Sequence, residues 1–118
     1  MQLTDTLETN LNILTHLTGG SADRIVSRIT VCGIACALLS CEGMCSNEGF
    51  TERLAAPLSA LAGSFGSGDA LLRHLQKTQL PSADCTAVCE TAELLRLLHA
   101  GFVILLADGA AFGLAYGM

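Results

Sequence analysis

Six cysteines stand out in a chain of 118 residues, and their spacing invites chemistry. Cys32 and Cys36, Cys41 and Cys45, and Cys85 and Cys89 form three Cys-x3-Cys pairs. On an α-helix four residues advance about 400°, so the sulfurs of each pair share one face, one turn apart. This differs from the Cys-x2-Cys knuckle of zinc ribbons, which sits on a turn. Thiolates stacked inside an apolar bundle suit a soft ion of low coordination number, Cu(I) first and Zn2+ second, and suit Mg2+ or Ca2+ poorly. Met44 adds a thioether beside Cys45. His99 falls on one helical stripe with Cys85, Cys89, Ala92 and Arg96, where it could ligate a metal or activate a thiolate. The candidate metal ligands are therefore Cys32, Cys36, Cys41, Cys45, Cys85, Cys89, Met44 and His99. Two other uses of the same thiols stay open. Free cysteine is among the most buried residue types, so the pairs could simply fill a tight helix interface. A redox use would place Cys41 opposite Cys89 and Cys45 opposite Cys85 as two staples of a helical hairpin, which a reducing compartment disfavours.

The elements that must position these residues read as helices. Leu3, Leu7, Leu11, Leu14 and Leu17 recur at spacings of four, four, three and three, an amphipathic helix ended by Gly19-Gly20. A second helix is predicted from about Ala22 to Met44, apolar on all sides in its second half and hence central to the fold. A third spans Thr51 to Ala62 with Pro57 kinking or restarting it. Gly63-Ser64-Phe65-Gly66-Ser67-Gly68 reads as a flexible loop near 63–68. A short fourth helix, Asp69 to Thr78, turns Leu71, Leu72 and Leu75 inward and Arg73, Gln76 and Lys77 outward. After Pro81-Ser82 a long last helix begins near Cys85 and runs toward Ala107. With no period-two segment rich in β-branched residues, the expected fold is all-α, an antiparallel four-helix bundle with one short extra helix, in a single domain over residues 1–118.

Helical Cys-x3-Cys pairs resemble the Cys-rich four-helix-bundle copper storage proteins and their short cytosolic relatives. The similarity rests on Ala35-Cys36, on Cys41-Glu42-Gly43-Met44-Cys45 with the trailing Glu48, and on Asp84-Cys85-Thr86-Ala87-Val88-Cys89-Glu90-Thr91-Ala92, followed by Leu94-Leu95 and Gly101-Phe102. What the resemblance implies is a bundle whose cysteines point inward and hold Cu(I). The chain departs from that pattern: it carries about half the family's cysteines or fewer, and nothing after Cys89 supplies a thiol. The family links consecutive pairs by Cys-x2-Cys. Here four residues separate Cys36 from Cys41, which turns the second pair by about 180° unless a single-residue bulge intervenes. These departures point to a few bound ions rather than bulk storage.

Composition narrows the function classes. Half of the chain is hydrophobic (51%), 14% is charged and the net charge is −5, which argues against disorder and, with no basic patch for phosphates, against nucleic acid as a partner. The mean hydropathy of +0.52 raises the question of a membrane. The uncharged run Ile29–Cys41 has only thirteen residues, and Ala100–Met118 has Asp108 at its centre and is diluted by glycines. Gly109, Gly113 and Gly117 form a small-xxx-small stripe that serves close helix packing in lipid or in a tight soluble bundle. Asp108 itself reads as a helix-end or loop residue beside Gly109, or else as a buried acid with a partner. The start Met1-Gln2-Leu3-Thr4-Asp5 lacks a secretory n-region, so a reducing cytoplasm is expected. No Gly-x-Ser-x-Gly elbow, His-Glu-x-x-His pair or P-loop occurs, and no catalysis is expected. The reading is a small bundle that binds a few thiophilic metal ions, Cu(I) before Zn2+. The alternative is a non-catalytic helical interaction module that homo-oligomerises, with its cysteines as core packing. A membrane-associated helical protein with a glycine-stripe last helix comes third.

Overall fold

The computed structural model describes residues 2–17, 24–41, 63–78 and 85–116. In chain order these form α1 (Leu7–Leu17), β1 (Arg24–Val31), β2 (Ile34–Cys41), α2 (Gly68–Thr78), β3 (Cys85–Val88), α3 (Thr91–His99), β4 (Val103–Ala107) and β5 (Gly113–Tyr116). The five strands make one antiparallel sheet in the order β1-β2-β4-β5-β3. The expected four-helix bundle is thus overturned: the chain is an α/β protein. The predicted helix Ala22–Met44 is, over its described residues, the β1–β2 hairpin. The predicted helix from Cys85 toward Ala107 divides into β3, the short α3 and β4. The predicted helix Thr51–Ala62 lies outside the described residues.

The reason lies in how the sheet is covered. Along β2, Cys36 and Leu38 pack into one core cluster while Ala37 and Leu39 pack into the other. Along β4, Val103, Leu105 and Ala107 alternate in the same way with Ile104 and Leu106, and all five are buried. Strands covered on both faces read as continuous apolar runs, so the period-two signature vanishes from the sequence. On one face lies α2, through Leu71, Leu72 and Leu75. On the other lie α1, through Leu7, Leu11 and Leu14, and α3, through Leu94, Leu97 and Leu98. The result is a three-layer sandwich. Helices of 11 and 9 residues are marginal alone, and burying a leucine is worth about 1.5–3 kcal/mol, so these leucine rows are what keep the helices formed. Here the leucine periodicity read from the sequence agrees with the structure: α1 lies within the first leucine repeat, and α2 buries Leu71, Leu72 and Leu75 with Arg73, Gln76 and Lys77 exposed.

Two turns set the register. Cys32 and Gly33 join β1 to β2 at φ +52° and +80°, the positive φ at both central positions that a type I′ hairpin turn demands. This pairs Val31 with Ile34 and, seven residues on, Arg24 with Cys41. The second turn, 108–112, joins β4 to β5 and starts with Asp108-Gly109, Gly109 lying at φ +94°. The stretch 100–118, weighed above as a membrane helix, therefore contains a β-hairpin. No helix among the described residues is long and apolar enough to cross a membrane.

Candidate functional site

The strand directions divide the cysteines between the two ends of the sheet. Cys32 and Cys36 lie at the end that carries both hairpin turns, and Cys41 and Cys85 lie at the other. Cys41 ends β2 and Cys85 begins β3, with β4 and β5 between them. Three strand spacings of about 4.8 Å put their backbones roughly 14 Å apart. Cys89 follows the far end of β3, farther still from Cys41, so the Cys41–Cys89 staple of the helical-hairpin reading is excluded by topology. Met44 and Cys45 lie outside the described residues, and with them the proposed Cys45–Cys85 contact.

None of the described pairs has the one-turn helical geometry on which the Cu(I) expectation rested. Cys32 is half-buried in the turn, Cys36 is buried on β2, and Cys89 is exposed in the link between β3 and α3. The Cys36 thiol donates to the Ile34 carbonyl at 3.4 Å. Its pKa is pushed up to about 11, chiefly by burial, with the nearby Cys32 and Asp108 adding to the shift and a backbone hydrogen bond with Val31 opposing it. At pH 7 only about one thiol in ten thousand is then a thiolate, which disfavours both nucleophilic attack and metal capture. His99 ends α3 exposed, and the stripe expected to join it to Cys85 and Cys89 is broken because those two cysteines are not on that helix. Among the described residues no three His, Cys, Asp or Glu gather to hold a metal ion.

The polar residues that the structure does bring together sit at the end of the sheet with the two turns. Asp108, in the β4–β5 turn, accepts the Leu7 backbone N–H on Oδ1 at 3.0 Å and so caps α1 from 101 positions away. A carboxylate there also faces the positive end of the helix dipole. Its neighbour Gly109 donates its N–H to the Asp5 carbonyl at 2.7 Å. On the other face the start of α2 presses on the same turn: a Cβ at Gly68 would stand 2.1 Å from the Asp108 carbonyl oxygen, so only glycine fits. One turn thereby grips the N-termini of helices on both faces of the sheet.

A strap of residues 2–6 completes this end. Leu3 N–H reaches the Cys89 carbonyl at 2.9 Å, and Gln2 bridges Glu90. Asn10 on α1 is fully buried, with its amide donating to the Thr4 carbonyl at 2.8 Å. Its Oδ1 accepts the Thr4 N–H at 2.7 Å and the Thr4 hydroxyl at 2.9 Å. These bonds satisfy a group whose burial would otherwise be costly. Beyond the strap, Arg28 on β1 forms a two-pronged ion pair with Glu8 on α1, which holds the Glu8 carboxyl below its ordinary range. On α3, Arg96 donates from Nε to the Glu93 carboxylate at 3.0 Å. Across α2, Arg73 lies 5.6 Å above the Phe112 ring and His74 lies 5.1 Å from the Phe65 ring, so the segment approaching α2 is anchored by an aromatic contact.

Sequence reasoning missed this cluster although a signal was present. Asp-Gly between two apolar runs is a strong short-range mark of a hairpin, and Val103–Ala107, Asp108-Gly109 and Gly113–Tyr116 fit it. Reading the same stretch as one helix hid both the turn and the role of Asp108, which lies in the loop beside Gly109, the first of the two places considered for it.

Comparison with known proteins adds to the correction. No protein-family model and no curated protein matches the chain. Among solved structures, the crystal structure of the N-terminal domain of the A subunit of the Bacillus megaterium spore germinant receptor GerK3 superposes with a TM-score of 0.77 at 18% identity. The match covers 100% of this chain and 48% of that one, so the chain spans about half the length of the receptor domain. What the two share is the fold. A copper storage bundle is ruled out by the sheet, and the resemblance drawn from short cysteine motifs is withdrawn.

Proposed function

We propose that the chain is a non-catalytic recognition domain of receptor type, contributing a folded surface to a germinant-responsive protein. The observation that carries this reading is the superposition of the whole chain on about half of a germinant receptor subunit's N-terminal domain. Because folds host unrelated functions, the reading also needs support from the residues themselves. The groups best suited to chemistry are occupied in holding the fold: the Cys36 thiol is buried and protonated, Asp108 caps α1, and Asn10 secures the strap. This keeps the interaction module weighed from the sequence, with cysteine as core packing, and replaces its helical frame with the sandwich.

The test is an in-frame deletion of the segment encoding residues 1–118 in the organism that carries it, with spore yield and loss of refractility after germinant addition as readouts. Normal spore numbers with a lost or strongly slowed response are expected. An unchanged response overturns the proposal. A second arm titrates the reduced, purified chain anaerobically with Cu(I) against a chelator. Tight uptake of two or more equivalents would overturn the packing role given to the thiols.

A further inference from the structure

We draw no further inference here: the strongest candidate, the outer edge of β1 where the exposed Val26 lies between Arg24 and Arg28, carries nothing because no feature among the described residues shows what covers it.

Discussion

Replacing Asp108 with alanine removes the acceptor of the Leu7 N–H while leaving the backbone of the turn in place. The perturbation is local: one hydrogen bond of 3.0 Å and one negative charge at the start of α1 disappear, and the Gly109-to-Asp5 bond of 2.7 Å remains. Loss of an N-terminal cap costs about 0.5–2 kcal/mol, and the dipole contribution of about 0.3–1 kcal/mol overlaps with it, so a loss of about 1–1.5 kcal/mol is expected. At about 2.1 cal/mol/K of unfolding entropy per residue, 118 residues give roughly 0.25 kcal/mol per degree. The melting temperature should therefore fall by about 4–6 °C. Asp108→Asn separates the two contributions, since its amide oxygen can keep the bond while the charge is lost. That variant should lose less than half as much as Asp108→Ala. Urea unfolding followed by circular dichroism gives the free energies, and hydrogen exchange at the Leu7 amide reports the bond itself. The cap assignment is wrong if Asp108→Ala unfolds within about 0.3 kcal/mol of the parent chain. Equal losses for the two variants would show that charge, not the hydrogen bond, holds α1.

Gly68→Ala should destabilise by about 1–3 kcal/mol because its Cβ meets the Asp108 carbonyl at 2.1 Å, whereas Gly66→Ala, which opens onto empty space, should stay within about 0.5 kcal/mol in the same urea titration. Cys89 should react rapidly with a maleimide at pH 7 and Cys36 only on unfolding; mass spectrometry showing equal labelling of the two would contradict the buried protonated thiol. Because the folded-state pKa of Cys36 is raised to about 11, its contribution to stability is complete below the unfolded thiol value of about 8.5 and declines as pH rises toward 11. Unfolding curves of the parent and Cys36→Ala compared from pH 8 to 10.5 should show a steeper alkaline loss in the parent. The Glu8 carboxyl, held low by Arg28, should titrate nearer its ordinary range in Arg28→Ala, with the parent's small advantage present at neutral pH and lost on acidification; carboxyl carbon NMR reads both. An unmoved Glu8 titration would remove the ion pair from the account.

The helices α1, α2 and α3 each keep one face in water, where leucines recur against polar neighbours, and that periodicity is legible in the sequence, although α3 is read there as part of a longer helix. Among the strands, β4 and β5 have no wet face at all. In β4, Val103 through Ala107 are all buried, so nothing in the order of side chains distinguishes a central strand from a buried helix. β1 carries a readable strand signal: Ile25, Val26, Ile29, Thr30 and Val31 are β-branched, and Cys32-Gly33 follows them at hairpin spacing. The cysteines favour a helical frame because Cys-x3-Cys stacks its two sulfurs one turn apart when it lies on a helix. On strands the same interval places the pair on one face but two pleats apart, and Cys32 escapes even that rule by sitting in the turn. The polar cluster around Asp108 was illegible for a different reason. Its partners, Leu7, Asp5 and Gly68, are brought together only by the sheet order, which local periodicity does not encode.

The cap on α1 also delays the completion of that helix during synthesis. Leu7 is made 101 positions before its partner, Asp108. At about 5–20 residues per second, the helix waits roughly 5–20 s on the ribosome for the carboxylate that finishes it. β2 meets the same delay, since its inner neighbour β4 is made only after α2, β3 and α3. The nascent chain therefore carries an apolar hairpin, Ile25 through Leu39, open along the side that β4 will occupy. Long-range pairing of this kind makes folding slow, so this protein is most exposed to aggregation or chaperone capture in the interval between the synthesis of β2 and that of β4.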